Sequence, residues 1–257
     1  MALLNPSYLI DRPNETREYI QAWSVAGLYL QKKFNEYNKS EEVNQGFTWL
    51  KTKLTRPSFD SFSFRYKNQV FSVLIDLIEL IDLDFISQTT GMAKKLQIDF
   101  CNENNMIPCL FKVKKRNFQP VTGGWNLFDT RDGKKINPFE LAGSKLVKIS
   151  DWEMLNWGVN FVVEKIMNEG NKILSFTDAP GISPNIWFED KKGDKHWVQV
   201  SVNGKPEKVE LIEDDDISGY KGYTTNVLLF PIEGQDAIYR SQPAKIGYSG
   251  LQTFNSN

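Results

Sequence analysis

The side chains equipped for chemistry in this chain are few and widely spaced. His196 is the only histidine, so a Cys/His zinc cluster, a Ser-His-Asp set or a Cys-His set would each have to use that one residue. Beside Trp197 on a strand pattern, it reads as a solvent-facing strand histidine. Cys101 and Cys109 are the only cysteines. They are too few for a disulfide framework and read as reduced, half-buried small apolar side chains. No Gly-x-Gly-x-x-Gly or Gly-Lys-Ser/Thr loop follows a strand, which removes the usual dinucleotide and phosphate-loop signals. Asp60, Asp76 and Glu79 are the carboxylates of the first half that could serve a metal-dependent reaction. Glu213-Asp214-Asp215-Asp216 lacks the spaced ligands and glycine of a calcium loop and reads as a solvated acidic turn. No metal and no cofactor is expected.

Two features could bind a partner. Lys112, Lys114, Lys115 and Arg116 form the one basic run, with Phe111 and Phe118 nearby, and could grip phosphates. The competing account is solvated charge guarding a strand edge. Trp125 follows Gly123-Gly124, a pair that lets the backbone turn sharply and present the next side chain on a protruding loop. It is the candidate exposed anchor, since tryptophan is enriched at binding hot spots; packing of that loop onto a neighbouring unit is the alternative.

The elements that would position these residues form a pattern that occurs twice. Phe62 to Leu74 and Ile186 to Val200 each read as a β-hairpin, with aromatic and β-branched residues around a polar turn containing Asn68 or Gly193. A long amphipathic helix lies upstream of each. Tyr19, Trp23, Ala26, Leu30, Phe34 and Tyr37 make one apolar face, in a helix expected to start near Asp11-Arg12-Pro13-Asn14. Ser150-Asp151-Trp152-Glu153 is a capping box that opens the second helix. Leu155, Val159, Val162 and Ile166 make its stripe, and Gly170 ends it. Strands follow at Phe47 to Leu54 and Lys172 to Phe176, and later ones at Met106 to Val113 and Asn226 to Ile232. A helical pattern with Met92, Leu96, Ile98 and Phe100 precedes the later strand only in the first copy. The predicted organisation is a first α/β unit over 1–117, a linker with a hairpin over 118–149, and a second, less regular α/β unit over 150–257.

This αβββαβ order resembles the PD-(D/E)XK nuclease-like superfamily. The resemblance implies an acidic residue at the first hairpin strand and a Glu-x-Lys on the next, which bind divalent metal and activate water. The second unit has Pro184-Asn185 in place of Pro-Asp and Gln199-Val200-Ser201 in place of Glu-x-Lys, so all three chemical positions are altered. Asn185 and Gln199 keep the shape and lose the charge that a hard cation prefers. Ser201 supplies no ammonium. Glu153 could stand for an extra helical carboxylate, although its capping role accounts for it. In the first unit Asp60 lies close to the right place, but Asp76 and Glu79 come late in the opposing strand unless the register slips. The resemblance therefore implies a degenerate, non-catalytic pair of domains.

With a formal net charge of -1 and 40% hydrophobic residues, the chain is globular and has no whole-protein attraction to nucleic acid or anionic membrane. No stretch is long and apolar enough for a membrane span, and the apolar start is too short for a signal-peptide core. A cytoplasmic, bacterial protein is expected that is not an enzyme but binds another protein, as immunity or adaptor proteins do. The alternative is a nucleic-acid-binding protein or a metal-dependent nuclease.

Overall fold

The computed structural model describes residues 16–40, 46–51, 61–81, 84–179, 182–204 and 219–254. Asp60, the acidic run Glu213 to Asp216 and the helix start expected at Asp11 to Asn14 lie outside the described residues. The protein is α+β, with two mixed sheets. Its described residues divide after residue 147 into two compact units. Among them, no helix is long and apolar enough to cross a membrane.

The first unit opens with α1 (Arg17–Tyr37), capped by Thr16, whose hydroxyl accepts from Tyr19 N at 3.2 Å. Its buried stripe is Tyr19, Ala22, Ala26, Leu30 and Phe34, while Trp23 stacks on Phe62 from the stripe's margin at 4.5 Å between ring centroids. Three strands follow as an antiparallel meander: β1 (Phe47–Lys51), β2 (Ser61–Tyr66) and β3 (Gln69–Ile81). The end of β3 pairs with the short β4 (Asp84–Ser87). After α2 (Gly91–Glu103), β5 (Ile107–Lys114) returns parallel to β3. Alternation along β3 sends Phe71, Val73, Ile75 and Leu77 toward the α1 core and Leu74 into a separate cluster with Leu110 and Phe128. Gln97 of α2 satisfies buried backbone on that second side, donating to Ser72 O at 2.8 Å and Cys109 O at 3.0 Å.

The stretch expected to be a linker with a hairpin does form a hairpin, and it belongs to this sheet rather than between the units. β6 (Gln119–Pro120) and β7 (Leu127–Asp129) pair with β5, and β8 (Lys135–Ile136) pairs with β7, giving the order β1-β2-β3-β5-β7-β8. Trp125 is correspondingly not an exposed anchor. It is 7% exposed and packs among Phe34, Tyr37, Phe47 and Phe139. The glycine pair does make a turn, with Gly124 at φ 72°, but Tyr29 Oη bonds Gly124 O at 2.7 Å and holds that turn against α1. Burying the indole outweighs displaying it. Farther on, α3 (Pro138–Leu141) leads to a segment clasped by the hairpin turn: Asn68 accepts from Gly143 N at 2.8 Å and donates to Lys145 O at 2.9 Å.

In the second unit α4 (Asp151–Asn168) precedes another meander, β9 (Lys172–Phe176), β10 (Ile186–Glu189) and β11 (Lys195–Val202). β12 (Lys221–Pro231) runs parallel to β11, and β13 (Ala244–Tyr248) and β14 (Gln252–Thr253) pair with β12. Leu155, Val159, Val162 and Ile166 pack on Ile186, Phe188, Val198, Val200 and Val227. Helix and sheet meet closely at Gly158, where an added Cβ would lie 2.6 Å from Val202 Cγ2. In both units, then, a helix precedes three meandering strands, and a later strand, β5 or β12, runs parallel to the third. The two hairpins differ in which residues face each other. Phe64 faces Phe71 across the first hairpin, whereas Phe188 faces His196 across the second. Trp197 is paired with Trp187 and lies over Gly222 on the other face.

Because Trp125 is fixed by aromatic neighbours on three elements, Trp125→Ala should lower the unfolding free energy of the first unit by about 3–5 kcal/mol. Denaturant unfolding followed by circular dichroism measures this. A loss below about 1 kcal/mol would show that the indole is not part of the core.

Candidate functional site

The position singled out by the capping box is the most polar buried region of the second unit. Ser150 Oγ accepts from Glu153 N at 3.2 Å, and Glu153 Oε2 accepts from Ser150 N at 3.0 Å, so both halves of the box form. The same carboxylate takes Arg240: Nε lies 2.9 Å from each Glu153 oxygen and Nη2 2.6 Å from Oε2. Both residues are 2% exposed. One turn along, Asn156 donates to Asp178 at 2.7 Å, with both residues buried. Arg240 and Asp178 gave no signal in the sequence. Arg240 is 87 positions from its partner and sits in no periodic element, so only the folded chain brings the pair together.

Asn185 joins this region to the sheet. Its Oδ1 accepts from Val200 N at 2.8 Å and its Nδ2 donates to Ile182 O at 3.3 Å, which leaves the buried amide bonded on both ends. Ser201 Oγ donates to Thr225 O at 3.1 Å. Gln199 and Ser201 alternate with Val198, Val200 and Val202, which pack toward α4. The two polar side chains therefore lie on the opposite face of β11 from α4 and do not converge with Glu153.

In the first unit the late carboxylates also stay apart. Asp76 and Glu79 are three positions apart on β3, an odd spacing that turns them to opposite faces. Glu79 pairs with Lys115 at 3.3 Å in solvent. Asp76 is fully buried and accepts on Oδ1 from Ser87 Oγ at 2.8 Å, Thr89 N at 3.2 Å and Thr89 Oγ1 at 2.9 Å. Its register partner on β5 is Lys112, whose ammonium lies 4.5 Å from the Phe128 ring centroid. Lys114 follows beside Ile78, and Arg116 is exposed in the turn after β5. Lys112, Lys114 and Arg116 have no carboxylate partner among the described residues, whereas Lys115 has Glu79. Among those same residues, no group of three or more His, Cys, Asp and Glu could hold a metal ion.

His196 is not solvent-facing. It is 8% exposed, sits between Phe188 and Tyr223, and places Nε2 3.2 Å from Asp190 Oδ2. The hairpin turn brings Asp190 back over the ring, which an alternating pattern of exposure along a strand does not reveal. Cys101 and Cys109 are wholly rather than half buried. Desolvation pushes the Cys101 thiol up to about 12 and Cys109 well above its ordinary value, so neither is a thiolate near neutrality.

Desolvation raises the Asp190 carboxyl, but the hydrogen bond with His196 and the amides of Lys192 and Asp194 outweigh it, leaving it below the ordinary value. A carboxyl depressed by folding adds stability that is present above its unfolded value near ~3.9 and is lost as pH falls through the folded value. The melting-temperature advantage of the native protein over Asp190→Asn should therefore be greatest near neutral pH and shrink below about pH 4. For the buried pair, Glu153→Gln and Arg240→Met should each cost about 3–5 kcal/mol, because each strands one buried partner. The double variant should cost less than their sum. Additive losses in urea unfolding would show that the two groups do not depend on each other.

Residues 152–254 match a family described as a domain of unknown function (DUF8840), a span that falls within the second unit. No curated protein and no solved structure matches the chain.

Proposed function

We propose that the chain is a protein-binding or assembly module built from two degenerate nuclease-like α/β units, and that its nuclease-like position does not cut nucleic acid. The observation that carries this reading is the commitment of the polar atoms at that position. Glu153 is held by its own helix and by Arg240, Asn185 by Val200 and Ile182, and Ser201 by Thr225. Metal-assisted hydrolysis needs free carboxylate oxygens directed at one point, and these groups point elsewhere. The shared order of helix, meander and a later strand parallel to the third supports a tandem pair. Two free thiols accord with a cytoplasmic setting.

Nucleic-acid binding without cutting is the second reading, favoured by one observation. Lys112 and Lys114 share a face of β5, with Arg116 just beyond them, and none has a carboxylate partner among the described residues.

Purified full-length protein incubated with supercoiled plasmid and single-stranded RNA in magnesium or manganese should leave both intact. Metal-dependent cleavage that is lost in Asp60→Ala or Glu79→Ala would overturn the proposal. Anisotropy titration of the same nucleic acids separates the two readings. Salt-sensitive binding that drops at least tenfold when Lys112, Lys114 and Arg116 are replaced by alanine selects the second. Capture of a partner from host lysate at about 0.15 M salt, after nuclease treatment, supports the first.

A further inference from the structure

One buried group in the first unit, Asp76, is bonded unevenly. Asp76 has no exposed surface, and all three of its hydrogen bonds fall on Oδ1, while Oδ2 is buried with no partner. A buried carboxylate with only one of its oxygens bonded to protein groups is costly to keep. One of its donors is the hydroxyl of Ser87, the last residue of β4, at 2.8 Å. That hydroxyl is also 3.1 Å from the ammonium of Lys94, in the first turn of α2. Ser87 itself is half-buried.

We propose that Ser87 is an acyl-accepting nucleophile, with Asp76 as its proton acceptor and Lys94 as the cation that stabilises its alkoxide. The pattern is a hydroxyl touching both a base and a positive charge, as nucleophilic catalysis requires. The N-terminus of α2 follows three residues after Ser87; its Gly91 and Met92 amides precede the first intrahelical bond, from Lys94 N to Thr90 O, and are the donors assigned to a developing oxyanion. Thr89 also bonds Asp76, but its hydroxyl has no contact with Lys94 and is the lesser candidate.

The substrate class is a small carboxylic ester. Ser87 Oγ bonds to the carbonyl carbon as its proton passes to Asp76. The carbon–oxygen bond to the alcohol then breaks, and the departing alkoxide takes the proton from Asp76. Water attacks the resulting seryl ester in the same way, releasing the acid and restoring Ser87. This chemistry belongs to the first unit and is independent of the function proposed above.

The test uses the full chain and an alkyl fluorophosphonate, which loses fluoride as its phosphorus bonds to a reactive serine. The expected result is one adduct by intact mass, mapped to the peptide containing Ser87, absent in Ser87→Ala and retained in Thr89→Val. Labelling should slow at least about tenfold in Lys94→Met and partly recover in Lys94→Arg. Lys94 is partly exposed, so these variants keep the proposal testable even if Asp76→Asn fails to fold. No adduct on the folded native protein, an adduct on another residue, or an unchanged rate in Lys94→Met would each overturn it.

Discussion

A strand that runs parallel to its neighbour cannot be reached by a tight turn; the chain must travel back along the sheet before it can pair. Among the described residues that constraint acts between β3 and β5 and between β11 and β12. Most of the layering follows from it. The leading helix covers one face of each meander, and in the first unit the returning crossover contains α2, which covers part of the other. A strand enclosed on both sides has no polar face to spare. β3 accordingly reads as the nearly unbroken apolar run Val70 to Ile78, interrupted by Ser72 and Asp76. β11 is the contrasting case, since its buried valines alternate with half-buried Gln199 and Ser201.

The same enclosure sets the terms for charge. Where water is excluded, a carboxylate must find its compensation inside the fold. Glu153 does so completely, between its helix terminus and Arg240, and thereby ties the segment around Tyr239 to the start of α4. Ile149 N bonding to Ile238 O at 3.1 Å reinforces that join. Asp76 achieves only half of such compensation. The difference is that both Glu153 oxygens are bonded, whereas only Oδ1 of Asp76 is.

How much of this was legible in the sequence depended on how local the cause was. The capping box Ser150–Glu153 and the stripe Leu155, Val159, Val162 and Ile166 are set by spacing along one helix, and both stand as read. The hairpins at Asn68 and Gly193 were likewise visible from residues a few positions apart. Whether Trp125 is displayed or packed is not legible locally, because its neighbours, Phe34 and Phe47, come from elements that only tertiary folding brings to it. The 118–149 stretch looked like a linker because its strands are two or three residues long and carry almost no periodic signal. His196 was misplaced for a similar reason: Asp190 reaches it across a turn, so its burial is not a property of its own strand. Arg240 was invisible, since nothing near it in sequence requires a cation.

The contact between Trp197 and Gly222 constrains how the chain can change over generations. A Cβ at position 222 would come within 2.1 Å of the indole, nearer than atoms can approach, and Phe254 packs against the same ring at 5.2 Å. No side chain larger than hydrogen can enter position 222 until position 197 has first become smaller. The reverse order is open, because shrinking the indole leaves a gap rather than a clash. The two positions therefore form a one-way mutational path. Drift in this sheet must pass through a loosened, less stable intermediate before glycine can be replaced, which favours retention of both residues together.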